Sequence, residues 1–280
     1  MILRKLESHE HGRTRKLWEA IFEEDTKKFL DYYYEVKTAE NEIYVIEEDG
    51  QIVSMLHLNP YQMRIGKQVF QTHYIVAVAT DENYRKRGYM ASLLNHVMQV
   101  MKDRGEPFTF LMPAAEAIYK PFGFEYIYEQ QRGKVTGRYC ENDNHTYAMA
   151  TEKDCQEIAD YANERLNRYE VVTWRDANYY KMLLKEQLSE DGGILLVREH
   201  DELVGVFCFA KGNQIEVREP LYNSESILQH AVYVLTGDEK EEVQCIGYGE
   251  EVKPMIMAKV LCPEKILNLK ELKVFLNEVV

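Results

Sequence analysis

One segment of this chain, residues 73–94, constrains the fold more than any other. It begins with an apolar run and passes through a short charged turn. Its last part carries apolar residues at helical spacing, which predicts an amphipathic helix. Arg85, Lys86, Arg87 and Gly88 end the turn, directly before this helix. The segment therefore predicts a strand, a turn and a helix in direct succession.

This strand–turn–helix junction has the features of an anion site. The first backbone N–H groups of a helix have no internal acceptor, and the helix dipole is positive at that end. Gly88 lacks a Cβ, so the main chain there can approach a ligand closely. The three cationic side chains beside it complement negative charge. The junction predicts a phosphate site, although it matches neither GxxxxGK[ST] nor GxGxxG.

A second motif follows at residues 107–124. Residues 108–112 form an apolar run typical of a buried strand, and Pro113 ends it. Residues 114–119 favour a short helix, which Pro121 and Gly123 stop. Together with residues 73–94, this motif predicts a strand, a helix and a second strand in succession. A short helix that ends at Tyr119 follows the second strand.

These two motifs together resemble the GNAT superfamily of N-acetyltransferases. Arg85 and Gly88 fill the first two fixed positions of the family's R/Q-x-x-G-x-G/A signature. Met90 stands where the third position usually carries glycine or alanine. Residues 117–124 are similar to the A-x-x-x-Y-x-x-x-GF region that follows the coenzyme motif. One helix and one strand separate the two motifs, which is the family's usual order.

The resemblance implies acetyl-coenzyme A as co-substrate and no metal. It implies that the main chain of Val78, Ala79 and Thr80 lines the pantetheine arm. A backbone N–H of the same stretch, where a bulge is expected, would stabilise the oxyanion. Further cofactor contacts are implied for the turn, the first helical turn and the start of the second motif: Arg85, Lys86, Arg87, Gly88, Tyr89, Met90, Ala91, Ala114 and Ala115.

The resemblance also implies a proton donor, Tyr119, that protonates the departing thiolate. A general base is less well defined by the sequence. His73 is one candidate, because it lies on the strand that feeds the phosphate turn and has a suitable unperturbed pKa. His57 and Glu116 are the other candidates.

Residues 78–90 and the surroundings of Tyr119 look like those of tandem-GNAT proteins related to the enhanced intracellular survival acetyltransferases. This resemblance implies an α+β (mixed α/β) fold class, with two GNAT folds that each have a twisted central mixed sheet flanked by helices. A polar, turn-rich stretch near 138–146 predicts the boundary. We expect a catalytic, coenzyme-binding domain at 1–138 and a degenerate GNAT-like domain without the coenzyme motif at 139–280.

The end of the chain carries a further expectation from the same relatives. Residues 254–267 look like the start of the sterol-carrier-like third domain of that family, and the rest of that domain is not in this sequence. In the family, the C-terminal carboxylate reaches the active site. The sequence leaves open whether the carboxylate of Val280 does so here.

Charge and cysteine content bear on partners and compartment. The 34 Lys and Arg against 47 Asp and Glu give a net charge of −13, which disfavours nucleic acid and anionic membranes and suits a cationic acceptor. No segment approaches the ~20 apolar residues of a membrane span, and the charged N-terminus is unlike a signal peptide. These features predict a cytoplasmic protein. The five cysteines lack CxxC spacing, so we expect buried reduced thiols.

The sequence leads to a direct N-acetyltransferase that acts on a primary amine. An aminoglycoside, a polyamine, a peptide N-terminus and a lysine remain open as acceptors. The tandem-GNAT relatives associate, so a homo-oligomer is also expected. One alternative is a GNAT-derived sensor or scaffold that binds acyl-coenzyme A without turnover. Another is an acidic surface that binds a basic protein, which no local motif supports.

Overall fold

The computed structural model describes residues 1–141, 143–212, 214–266 and 268–278. The chain begins with a strand, two helices and two hairpins, formed by β1 (Ile2–Lys5), α1 (Arg15–Ile21), α2 (Lys27–Glu35), β2 (Glu42–Glu48), β3 (Gln51–Ile65) and β4 (Gln68–Thr80). The two motifs then form α3 (Tyr89–Asp103), β5 (Phe108–Leu111), α4 (Glu116–Tyr119) and β6 (Glu125–Thr136). The segment from β4 to α4 follows the predicted order of strand, turn, helix, strand and short helix.

The second half alternates short strands and helices. Its first elements are β7 (Thr146–Met149), α5 (Cys155–Leu166), β8 (Val171–Thr173), α6 (Ala177–Ser189), β9 (Gly193–Glu199), β10 (Glu202–Lys211) and β11 (Ile215–Tyr222). The last elements are α7 (Glu225–Thr236), β12 (Glu242–Ile246), β13 (Glu251–Val260) and β14 (Val274–Phe275).

The chain forms two compact units that interleave along the sequence. The first unit contains Met1–Tyr128, Tyr169–Trp174 and the described residues from Met255 onward. The second contains Glu129–Arg168 and Arg175–Pro254. The sequence predicts a single division near residue 138 instead. The difference arises because two later strands, β8 and β13, pair with strands of the first unit.

The first unit has a mixed sheet in the order β1-β2-β3-β4-β5-β13, and β8 joins the outer half of β3. Strands β1 to β4 are antiparallel, whereas β4 and β5 are parallel because α3 connects them. One face of the sheet packs on α3, with Leu93, Leu94 and Val97 fully buried. The other face packs on α1 and α2 through Trp18 and Tyr33.

The strands of the second unit follow the order β6-β12-β11-β10-β9-β7 and include parallel and antiparallel pairs. Strands β11 and β12 are parallel and are connected by α7. The buried residues Leu228, Ala231 and Val232 of α7 pack in the core of this unit with Phe207 and Val217. The predicted mixed α/β fold class is confirmed, and each unit contains one strand–helix–strand crossover.

The segment expected to begin a third domain is instead part of the first unit. Residues 255–258 are apolar and enter the sheet as β13, where Met257 is opposite Leu111 and Val260 is opposite Phe108. An apolar strand of this kind gains more by pairing with β5 than by remaining a linker. Val280 lies outside the described residues.

The five cysteines are free thiols, as expected, but they are not all buried. Cys155, Cys208, Cys245 and Cys262 are buried, whereas Cys140 is exposed. In the ranges that the structure describes, every helix is too short or too polar to cross a lipid bilayer.

Candidate active site

The site of the first unit begins where β4 and β5 separate. Among the described residues, the ladder between these strands contains one pair, Tyr74 opposite Phe110. Beyond this pair β4 is irregular. Its register with β3 shifts between Val76 and Ala79, and Ala77 in this stretch has a left-handed φ of 52°. Bulges of this kind bend a strand and end its pairing. Beyond the Tyr74–Phe110 pair, the edge of β4 that carries Val78 to Thr80 has no ladder partner on β5 among the described residues, and we call this opening between the two strands the fork.

A tight turn follows β4 at the open end of this fork. A 3-10 turn at Glu82–Tyr84 begins with Asp81, whose side chain accepts a hydrogen bond from the Asn83 N–H at 2.9 Å. Gly88 then serves as the N-cap of α3 with a left-handed φ of 80°. No side chain caps this helix. The first N–H groups of α3 are therefore without an intrahelical acceptor.

The three cations of the turn differ in how they are held. Arg87 stacks over the Tyr84 ring at 4.7 Å and forms an ion pair with Glu48 at 3.5 Å. Arg85 is exposed and donates from Nε to the Thr80 carbonyl at 3.3 Å. Lys86 is exposed, and its ammonium has no hydrogen-bond or ion-pair partner among the described residues. Arg85 and Lys86 are thus the cations most available to an anion.

Glu48 is a neighbour of the turn that the sequence did not suggest. Its carboxylate accepts a hydrogen bond from the Tyr89 hydroxyl as well as pairing with Arg87. Glu48 lies at the end of β2, 41 residues from Tyr89 in the chain, so no local pattern connects them.

Tyr119 lies at the end of α4, shortly after β5, and its side chain is only 7% exposed. It packs edge-to-face on Phe124 at 6.0 Å and belongs to the same apolar cluster as Tyr89, against which Val78 and Met90 also pack. Burial raises the pKa of Tyr119, so the phenol is protonated at neutral pH. Tyr119 and Tyr89, the first residue of α3, thus share one apolar cluster, with Val78 of β4 packed against it.

Two of the predicted cofactor contacts, Ala114 and Ala115, lie between β5 and α4. Both are exposed, and Ala115 precedes the first residue of α4 in an extended conformation. The Ala115 carbonyl accepts a hydrogen bond from Ile118 at 3.1 Å. They follow directly on the strand that forms one side of the fork.

His73 lies near the middle of β4, seven residues before Thr80. Its Nδ1 is 2.9 Å from both carboxylate oxygens of Glu106, which precedes β5. Because a strand rises about 3.3 Å per residue, roughly 20 Å of β4 separates His73 from Thr80. His73 lines a surface cavity together with Arg104 and Lys265, away from Gly88. Its role as general base stays a prediction that this placement does not support.

The other two candidates for the base have contrasting environments. His57 is fully buried, its Nδ1 is 3.2 Å from the Tyr33 hydroxyl, and burial lowers its pKa to about 3. A group with so low a pKa is a poor acceptor for an ammonium proton. Glu116 is exposed and begins α4, three residues before Tyr119 on the same helix, where it pairs with Lys120 at 3.1 Å. Glu116 is thus the candidate nearest to Tyr119 in the chain.

The second unit has the same crossover but a different junction. Two residues, Asn223 and Ser224, connect β11 to α7, and they include neither a glycine nor a cation. The first residue of α7 is Glu225, whose carboxylate accepts a hydrogen bond from Tyr248 at 2.7 Å. A carboxylate in this first turn already occupies the positive end of the helix dipole and repels an anion.

Comparison with known proteins agrees with this geometry. Residues 3–127 match the family model of the acetyltransferase (GNAT) domain. A comparison with curated proteins gives no match. Among solved structures, a probable N-acyltransferase from Enterococcus faecalis is similar with a TM-score of 0.79 and 15% identity, over 95% of this chain and 74% of that chain.

Two further structures resemble the whole of this chain. Eis1 from Mycobacterium abscessus has a TM-score of 0.67 and 11% identity, over 96% of this chain and 76% of that chain. A tandem GNAT protein from the clavulanic acid biosynthesis pathway has a TM-score of 0.61 and 11% identity, over 93% of this chain and 99% of that chain. At these identities the likeness concerns the fold alone.

The fold of this chain is of the GNAT type. Residues 3–127 match the model of the GNAT acetyltransferase domain, and the chain as a whole has the fold of GNAT N-acetyltransferases, including the Eis and tandem-GNAT proteins. The resemblance inferred from the sequence motifs is confirmed.

Proposed function

We propose that this protein transfers the acetyl group of acetyl-coenzyme A directly to a primary amine. The observation that carries the proposal is the fork between β4 and β5, which opens toward the uncapped start of α3 at Gly88. An opening between two strands suits an extended pantetheine arm, and a glycine-led helix start suits a diphosphate. The family match of residues 3–127 supports the same class of reaction.

In this proposal the main chain of Val78, Ala79 and Thr80 binds the pantetheine arm. The turn and the first turn of α3 hold the phosphates, with Arg85 and Lys86 as the principal cations. Ala114 and Ala115 line the coenzyme from the side of β5. The acceptor is a cationic amine, since the chain carries a net charge of −13.

The chemical step forms a C–N bond and breaks the C–S bond of the thioester. An amine with pKa near about 10.4 is mostly ammonium at pH 7 and must first lose a proton, to Glu116 or through water. A backbone N–H near the bulge stabilises the oxyanion. Tyr119 then donates its proton to the leaving sulfur, a role that its raised pKa supports because the phenol stays protonated.

The second unit is proposed to bind no coenzyme, because its β11–α7 junction lacks both glycine and cation and carries Glu225. We therefore expect titration calorimetry to give one binding site for acetyl-coenzyme A per chain. The double substitution Arg85→Ala with Lys86→Ala should weaken binding by about tenfold or more, because each charge-assisted contact contributes about 1.5–3 kcal/mol. The control, Lys67→Ala with Lys153→Ala, removes two exposed charges elsewhere and should leave binding unchanged.

Turnover is tested separately by the release of free thiol from acetyl-coenzyme A in the presence of a panel of amines. Thiol release that depends on an amine supports the transferase. Tight coenzyme binding without thiol release for any amine class would favour the alternative, a GNAT-derived sensor or scaffold. No uptake of acetyl-coenzyme A at all would overturn both.

A further inference from the structure

Side chains at the closed end of the fork hold β4 against β5 where the backbone ladder stops. Thr72 donates from its hydroxyl to the Phe108 carbonyl, and Thr109 donates to the His73 carbonyl at 2.8 Å. The His73 imidazole in turn contacts the Glu106 carboxylate at 2.9 Å. We call these four residues, Thr72, His73, Glu106 and Thr109, the fork clamp.

The fork clamp is buried and lies next to the one backbone pair between the strands. Thr72 and Thr109 are fully buried, and His73 and Glu106 are 7% and 3% exposed. Tyr74 and Phe110, the paired residues, pack their rings at 5.1 Å immediately beyond it. The bulge at Ala77 begins only three residues further along β4. The closed end is thus fixed by side chains, and the open end is free.

We propose that the fork clamp sets the separation of β4 and β5 at the coenzyme site, and that His73 is a positioning residue rather than the general base. This inference rests on the proposed coenzyme site at Val78–Thr80. Thr72 and Thr80 lie on one strand, so a small rotation about the Tyr74–Phe110 pair moves the open end by a larger distance. Pantetheine binding needs a fixed separation, because backbone hydrogen bonds weaken steeply outside about 2.7–3.2 Å.

The placement of His73 supports positioning over proton transfer. Its imidazole contacts Glu106 at the amino end of β5, whereas Tyr119 follows the carboxyl end of that strand. Glu106 also lies 4.0 Å from Arg104, which ends α3. The His73–Glu106 pair thereby connects the carboxyl end of α3 to β4. This end of the helix is opposite the end at Gly88.

The test combines Thr72→Val with Thr109→Val, which removes both hydroxyls and nearly preserves side-chain volume. We expect the dissociation constant and KM for acetyl-coenzyme A to rise about threefold to thirtyfold, because the separation of the strands is no longer fixed, with a smaller change in kcat. The single substitution Thr109→Ser keeps a hydroxyl and should leave the affinity for acetyl-coenzyme A close to that of the wild type. The control is Thr173→Val, which alters a buried threonine of the same unit whose hydroxyl has no partner among the described residues.

His73→Asn separates positioning from catalysis. Positioning predicts a raised KM for acetyl-coenzyme A with both limbs of the pH–rate profile unchanged. A fall in kcat of about 10²–10⁴ with loss of the acidic limb would instead identify a base and overturn the inference. Unchanged coenzyme affinity in the folded Thr72→Val, Thr109→Val protein would overturn it as well. If the wild-type protein takes up no acetyl-coenzyme A, the proposed function itself fails, which is a distinct result.

Discussion

Lys86 and Gly88 both have left-handed backbones, with φ of 62° and 80°, on either side of Arg87. Backbone turns that alternate between hands direct successive N–H groups to one side, which creates a concave anion site. Glycine adopts a left-handed φ without a steric cost, whereas Lys86 must be held there by its surroundings. The geometry of this turn therefore depends on Gly88.

Gly88→Ala is expected to weaken acetyl-coenzyme A binding about tenfold, measured by calorimetry. A Cβ at this position meets no atom within 4 Å, so the effect comes from backbone strain of about 1–2 kcal/mol and not from a clash. Gly66→Ala is the matched control, because Gly66 has a φ of 58° with equally open space in the β3–β4 turn. Both variants should lose similar stability, and equal losses of affinity would contradict the role of Gly88.

Much of the first unit was predictable because its elements are encoded locally. The apolar positions of α3 recur at helical spacing up to Met101, and Gly105 and Pro107 follow its end. The turn residues Asp49 and Gly50 are likewise a local signal for the β2–β3 hairpin, and both adopt left-handed conformations there. Periodicity and turn chemistry act over a few residues, so the sequence displays them directly.

The parts that could not be predicted depend on contacts between distant residues. Strand β8 pairs with β3, and the Glu106 carboxylate contacts His73 33 residues away. A strand pattern shows which residues face a core but not which strand they pair with, and a carboxylate before a strand has no local signature. The contact with Glu106 determines where the His73 side chain lies, whereas the sequence predicts only that His73 is on β4.

His57 should make the folded state sensitive to mild acid. Burial lowers its pKa to about 3 from an unfolded value near 6.5. A histidine with a depressed folded pKa binds protons mainly when unfolded, so it destabilises the fold as the pH falls below about 6.5. Between pH 7 and pH 5 this amounts to about 2 kcal/mol.

The measurement is the free energy of unfolding by urea at both pH values. His57→Gln should lose less stability than the wild type between pH 7 and pH 5, by about 2 kcal/mol. His96→Gln, which replaces an exposed histidine on α3, should behave as the wild type does. Parallel losses in all three proteins would show that His57 does not titrate in this way.

Glu48 opposes the phosphate site electrostatically, since its carboxylate pairs with Arg87 at 3.5 Å beside the start of α3. Glu48→Gln should tighten acetyl-coenzyme A binding about twofold to fivefold at low ionic strength, as expected for an exposed ion pair. The gain should shrink at high salt, which screens exposed charges. Glu40→Gln makes the same change in net charge at an exposed position, and an equal gain there would indicate a general charge effect.

Tyr119→Phe provides the most direct test of the chemical step. Loss of the proton donor should lower kcat by about 10²–10⁴, measured as amine-dependent thiol release, while the affinity for acetyl-coenzyme A stays within about twofold. Tyr161→Phe is the matched control, because Tyr161 is 8% exposed against 7% for Tyr119 and belongs to the second unit. Burial raises the pKa of Tyr161 to about 12, so its phenol is likewise protonated. An unchanged rate in Tyr119→Phe would remove this residue from the mechanism, and an equal loss in Tyr161→Phe would attribute the effect to packing.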